Sequence, residues 1–400
     1  MIKKVPVSEL RPGMEVVKLH SDVWEHLPYL YTTPGPIRDR DEVVRIEGQG
    51  YRHAFIHVPD NETPRAERLE TVISDPGYEP PEKQRSPFDQ EIQITQMAYE
   101  NAMVHARRIV SDVKMGRQID YEATSGVVRG IIESAVRNPD TLICISKLSR
   151  YDEYTYSHSI NVAAIAVVFG EYLGMGRDEL RELGTAGMLH DIGKTAIAED
   201  IINKRGRLSE KEFSEIRKHP VFGHDILRRQ PAIPDIVLDA VRQHHEKFNG
   251  AGYPGKLMQN AISPYARILS LADVYDALTS DRSYKDAILP NKALAIMYGM
   301  RGQDFDTTEV QLFIKCLGIF PAGSLVRLNT GKYGVVCESN PKRPLLPKIK
   351  IILDEDLRPI PAELVDLAAR QTLHRDRLEI LECADPGQYR INLKPFLFGS

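Results

Sequence analysis

The segment HDIGKTAIAEDIINKRGRLSEKE, residues 190–212, sets His190 beside Asp191 at the end of a predicted apolar helix over 180–189. Adjacent helical residues project about 100° apart, so Asp191 is placed to bridge two ions while His190 binds one. Moving outward, His158 lies in Tyr156-Ser157-His158-Ser159, at the start of an apolar helix that turns it inward with Val162 and Ile165. His219 precedes Pro220, which is expected to end a helix and leave the imidazole at its terminus. His244 and His245 close a helix that starts near Ile233, and Asp273 lies in the run 265–278. Imidazole and carboxylate form the ligand set of borderline first-row metals. Seven such groups on separate helices are what a site for two adjacent ions requires.

The run 265–278 is apolar nearly all round and is therefore predicted to be a buried helix. Asp273 and Asp276, three residues apart, share one face of it. A buried carboxylate is costly unless it is paired or bound to a metal; Arg267 and Arg282 are the alternative partners. Six of the twelve histidines fall between 158 and 245, which favours the metal. His224-Asp225 looks like the 190–191 pair but is read as a surface pair. The glycine-rich stretch 249–255 is a loop.

With 42% hydrophobic and 27% charged residues, the 400-residue chain has the composition of a globular protein of two or three domains. A net charge of -4 argues against a nucleic-acid polymer as partner; a small phosphate ester needs only a few local cations. The longest apolar stretch, 162–169, is too short to span a membrane, and the N-terminus shows no signal-peptide pattern. Cys144, Cys316, Cys337 and Cys383 lack CxxC pairing, so they are read as reduced thiols of a cytoplasmic protein, outside the metal site.

The predicted fold class is mainly α with β-rich ends. Residues 1–75 form a small β-rich domain, with strands at 15–19, 43–46 and 54–58. A Pro-rich linker covers 76–88. A connecting helix follows over 89–119, either a dimerising element or a plain core helix, with His105 on its solvent face. Residues 120–320 are helical with short loops, and Ser209 with Glu212 forms a capping box. Residues 321–400 are β-rich, with a turn at 329–332.

The blocks HSINVA (158–163), HDIGKTAIAEDIINKRGRLSEKE (190–212), HPVFGHDIL (219–227), HHEKFNGAGYPGKL (244–257) and ADVYDALTSDRSYK (272–285), in this order and spacing, resemble the HD-GYP family of bacterial cyclic-di-GMP phosphodiesterases. This is a branch of the HD metal-dependent phosphohydrolases. Residues 1–75 resemble the domain of unknown function that often precedes it. The resemblance implies a helical HD-type bundle. One ion would be held by His158, His190, Asp191 and Asp273, and a second by Asp191, His219, His244 and His245. It implies substrate contacts from Lys194, Tyr253, Asp276, Arg282 and Lys285, with Asp191 and Lys194 catalytic. The activity implied is hydrolysis of cyclic di-GMP to pGpG, and more slowly to GMP, through a metal-bridging hydroxide. Iron or manganese suits this ligand set, with nickel or zinc able to occupy it in vitro. The alternatives are a signalling module that binds cyclic di-GMP or a diguanylate cyclase, and a hydrolase of another nucleotide. Two positions depart from the family pattern. Tyr154 stands where members with a third ion carry Glu, so two ions are expected, and Asn249 stands where Asp is usual.

Overall fold

The structure, a computed structural model, describes residues 2–11, 14–20, 35–37, 39–48, 51, 53–57, 65–81, 83–148, 154–204, 206–230, 232–281, 287–370 and 378–398. The chain divides into two units, Met1–Tyr78 and Glu79–Ser400.

The first unit contains β1 (Ile2–Pro6), β2 (Glu15–His20), β3 (Gly35–Pro36), α1 (Arg40–Gly48), β4 (His53–His57) and α2 (Arg65–Ile73). Its strands form an antiparallel sheet in the order β1-β4-β2-β3. The strand expected at 43–46 is instead part of α1. Asp39 accepts the Glu42 N–H at 2.8 Å, an N-terminal helix signal that outweighs the β-branched pair Val43-Val44. The helical spacing then sends Val43 and Ile46 into a core with Val5, Val7, Val16 and Ala54, while Val44 is exposed.

The second unit is built largely of helices. These are α3 (Phe88–Lys114), α4 (Tyr121–Arg137), α5 (Pro139–Leu148), α6 (Tyr154–Tyr172), α7 (Arg177–Leu189), α8 (Glu199–Ile202), α9 (Glu210–Ile216), α10 (His219–Arg228), α11 (Asp235–Gln243), α12 (Pro264–Thr279), α13 (Pro290–Gly299) and α14 (Thr307–Leu317). Helix α6 is the axis of the bundle. Its residues from Ile160 to Phe169 are buried on every side, because α3, α4, α5, α7, α12 and α14 surround it. Helix α12 is likewise almost wholly buried, as its uniform hydrophobicity predicts. Arg267 on α12 is spent on a buried ion pair with Glu309 at 2.8 Å, not on Asp273 or Asp276. Helix α3 turns Ile92, Tyr99, Ala102, Ala106 and Ile109 inward at helical spacing. His105 is not on its solvent face but half-buried, 3.0 Å from the Thr124 hydroxyl, and burial lowers its pKa.

After α14 the chain forms β5 (Leu325–Leu328), β6 (Tyr333–Glu338), β7 (Lys348–Leu353), β8 (Pro359–Asp366), α15 (Leu367–Arg370), β9 (Ile380–Ala384) and α16 (Lys394–Phe398). The strands pair antiparallel in the order β8-β7-β6-β5-β9. Between β5 and β6 the turn uses Gly331 at φ +83°. All four cysteines are free and buried. Among the described residues no helix is long and apolar enough to cross a membrane.

Candidate metal centre

Five helices deliver the predicted ligands to one place. His158 sits in the second turn of α6. His190 caps the end of α7, and Asp191 leads into a 3-10 turn at Ile192–Ala196 that carries Lys194. His219 opens α10 rather than closing the preceding helix: Pro220 falls in the first turn, where its missing N–H costs nothing. His244 caps the end of α11, His245 follows, and Asp273 lies within α12.

Two glycines set the spacing. A Cβ on Gly187 would stand 2.7 Å from Ala163 Cα, so only glycine lets α7 pack this closely on α6. A Cβ on Gly193 would overlap the His219 carbonyl oxygen and the Gly223 nitrogen. The backbone of the 3-10 turn therefore rests directly on α10.

Asp191 is the centre of the array. Its Oδ2 lies 3.4 Å from His190 Nε2 and 3.6 Å from His158 Nε2, while its Oδ1 lies 3.2 Å from His219 Nε2. His158 Nε2 is 3.2 Å from Asp273 Oδ1, and His245 Nδ1 is 3.8 Å from Asp273 Oδ2. Three overlapping groups offer ligand atoms within 4.8 Å of one another: His158, His190 and Asp273; His190, Asp191 and His244; and His219, His244 and His245.

The partners of the outer ring nitrogens fix which atom faces inward. His190, His219 and His244 donate from Nδ1 to the carbonyls of Gly187, Ile216 and Val241, each three residues back, at 2.7, 2.7 and 2.6 Å. A carbonyl only accepts, so each Nδ1 carries the proton and each Nε2 presents a lone pair. His158 places Nδ1 against Asp276 Oδ2 at 2.7 Å, the carboxylate–imidazole arrangement common behind metal-bound histidines.

The electrostatics fit a cation. Burial lowers the pKa of His219 to about 4 and of His245 to about 3, against the upward pull of Asp191 and Asp273, and burial with the neighbouring histidines lowers His244 well below the usual range. These rings are neutral at pH 7, yet His219 Nε2 and His244 Nε2 face each other at 3.2 Å. Two lone pairs at that separation repel unless a positive charge lies between them. His190 Nε2 and Asp191 Oδ1 are also buried without a hydrogen-bond partner, an expense that metal ligation removes. Burial alone would raise Asp191 and Asp273, but the charge of Lys194 beside the first, and the hydrogen bond and charge of His158 on the second, hold both well below the usual carboxylate range. Burial pulls His158 down, yet Asp273 and Asp276 lift it to about 9.

The expected substrate residues separate. Lys194 Nζ meets Asp191 Oδ2 at 2.5 Å. The Tyr253 ring lies 4.9 Å from the His245 ring and 4.6 Å from the Arg217 guanidinium, and burial raises its phenol pKa. Asp276 needs correction as a substrate contact. It is buried, and its oxygens are taken by His158, by Asn161 Nδ2 at 2.8 Å and by the Ser280 hydroxyl at 3.0 Å. Arg282, Lys285, Asp152 and Glu153 lie outside the described residues; of Tyr154, the first residue of α6, only the backbone is described. Asn249 accepts the Ala251 N–H at 2.9 Å and so closes its own turn without a charge. His224 pairs with Asp225 at 3.3 Å, away from the cluster.

Three contributors went unread in the sequence. Buried Glu246 accepts the N–H groups of Gly255 and of Leu257, the latter at 3.0 Å, tying the 249–255 loop to the ligand pair. Asn161 links Asp276 to the Tyr99 hydroxyl at 2.7 Å. Arg217 covers Tyr253. Only Glu246 had a signal, its adjacency to His244-His245.

Residues 142–308 match the HD domain family, 2–124 a domain of unknown function, and 325–375 a KOW domain associated with the HD domain. The chain is 33% identical over 398 residues to the cyclic di-GMP phosphodiesterase PA4108 of Pseudomonas aeruginosa, covering 98% of this chain and 94% of that protein. It is 37% identical over 177 residues to the cyclic di-GMP phosphodiesterase response regulator RpfG of Xanthomonas campestris, covering 43% of this chain and 47% of that one. Against the 3'3'-cGAMP-specific phosphodiesterase 2 of Vibrio cholerae it is 32% identical over 162 residues, covering 40% and 31%. Similarity along essentially the whole chain joins an HD match that spans every ligand-type side chain around Asp191, and the chain belongs to the HD-GYP family of HD-domain phosphodiesterases.

Proposed function

We propose that this chain hydrolyses cyclic di-GMP to linear pGpG, with slower cleavage onward to GMP, at two divalent ions. The observation that carries this reading is Asp191, one of whose oxygens faces the buried His158 and His190 nitrogens and the other the buried His219 nitrogen. His158, His190, Asp191 and Asp273 would hold one ion; Asp191, His219, His244 and His245 would hold the other. The mixed nitrogen and oxygen donor set suits iron or manganese, with nickel and zinc as in vitro occupants. Bound there, the ions supply Lewis-acid charge for the phosphoryl oxygens and lower the pKa of water.

The chain's own groups do the rest. The Lys194 ammonium, held at Asp191, directs a charge-assisted donor at a phosphate oxygen. Burial keeps Tyr253 protonated at neutral pH, so its hydroxyl donates a hydrogen bond to the substrate instead of repelling it. Its ring, fixed between His245 and Arg217, offers a face beside a base. Arg282 and Lys285 join the substrate contacts by their place in the motif. Asp276 serves instead to orient His158. Cyclic di-GMP is favoured because the nearly full-length relative is named for it.

The test is metal analysis of anaerobically purified protein paired with turnover of cyclic di-GMP, 3'3'-cGAMP and mononucleotides. About two ions per chain and fastest cleavage of cyclic di-GMP are expected. Faster cleavage of a mononucleotide would overturn the substrate. No cleavage at full metal occupancy would favour a signalling module that binds cyclic di-GMP or a diguanylate cyclase.

A further inference from the structure

Helix α3 lies outside the HD-domain match, yet it forms one wall of a cavity that opens on the metal centre. The cavity has a volume of about 220 Å3, and Asp191 and Lys194 are part of its lining. Ala106, Ile109 and Val110 of α3 line it together with Met188, Ile192 and Ile197. This is smaller than the roughly 300–1,000 Å3 of a site that encloses a whole small-molecule ligand. A volume of that size has room for one base of a larger ligand but not for the whole of a dinucleotide. At the rim, Lys114 from α3 and Glu199 from α8 meet at 2.6 Å. Both side chains are exposed, so their pairing contributes little to stability and opens at small cost.

We infer that this cleft is the subsite for one guanine of the cyclic dinucleotide, and that Lys114 and Glu199 read the base edge. The inference rests on the phosphodiesterase reading above. Apolar walls from α3 and the α7–α8 connection would cover the two faces of the ring. A carboxylate has two acceptor oxygens, which match the adjacent N1–H and N2–H donors of guanine; adenine presents one amino group beside an acceptor nitrogen. The Lys114 ammonium then donates to guanine O6. On this reading α3 is a determinant of substrate choice supplied from outside the HD core.

The test uses the metal-loaded full-length chain. Calorimetry with GMP and AMP reads base preference without turnover, and KM for cyclic di-GMP reads the subsite during turnover. Glu199→Gln, at an exposed position, is expected to reduce the preference for GMP over AMP about tenfold. Ala106→Phe, which fills the cavity from α3, is expected to raise KM for cyclic di-GMP at least about tenfold, with metal content and cooperative unfolding retained. Unchanged GMP preference in Glu199→Gln overturns the edge-reading pair; if Ala106→Phe does not fold, that result alone decides. A folded, metal-loaded Ala106→Phe enzyme with KM within twofold of the parent overturns the subsite. If the parent chain binds GMP over AMP but cleaves no cyclic di-GMP, the substrate reading fails while the guanine subsite stands.

Discussion

His158 has Asp276 behind it and Asp273 ahead, whereas His190, His219 and His244 each lean on a backbone carbonyl three residues earlier in their own turn. Both arrangements aim Nε2 inward, but their electrical consequences are opposite. The carboxylate-backed ring is basic, at about 9, and holds its proton at neutral pH when no metal is bound. Burial keeps the carbonyl-backed His219 and His244 neutral. The site therefore has one half where an arriving cation displaces a proton and one half where lone pairs already converge. Asp191 stands between them, with one oxygen 3.6 Å from His158 and the other 3.2 Å from His219.

The largest effect should come from removing that shared group. Asp191→Ala is expected to lose both ions and all measurable turnover, read by metal analysis and a nucleotide assay. Retention of both ions would dissolve the division into halves. Asp276→Asn keeps a hydrogen-bond acceptor behind His158 but removes its charge. Metal affinity is expected to fall about 10–100-fold, with one ion lost to a chelator well before the other. Equal loss of both would show that the backing carboxylate does not belong to one half.

The contrast also predicts pH behaviour in metal-free protein. The folded-state pKa of His158 lies above its ordinary 6.5, so its contribution to stability is full below 6.5 and disappears as pH rises through about 9. His219 and His245 shift the other way. As pH falls below 6.5 the unfolded chain takes up protons that the folded rings refuse, and stability drops toward pH 4 and 3. Imidazole NMR titration should show His158 charged and His219 neutral at pH 7; the reverse order would refute the assignment. The smallest effect belongs to His224→Ala, which removes a histidine–aspartate pair outside both halves. The ring is only 13% exposed, so stability is expected to fall by about 1 kcal/mol, with metal content unaltered.

The seven ligand-type residues were legible because HD and HH pairs at predicted helix ends are chemically unusual, and their order matched a family pattern. Asp276 was placed on the right face of α12, but spacing along one helix cannot say which ring edge it meets on another. Pro220 was read as a stop when its position in the first turn makes it a start. The β-branched pair Val43-Val44 suggests a strand, whereas the Asp39 carboxylate on the Glu42 N–H starts a helix there. The carbonyls behind His190, His219 and His244 have no residue signature, since every backbone carries one. The cleft along α3 was invisible for a different reason: an apolar stripe announces that something covers it, not that part of it borders a void.

Gly193 carries a consequence for how such a site fails. Because its missing side chain lets two stretches of main chain touch, the gap between Asp191 and His219 is held by peptide against peptide, with no rotamer to absorb an error. A random-mutagenesis screen for inactive clones should accordingly recover replacements of this glycine alongside those of the imidazoles, even though it contributes no donor, charge or proton.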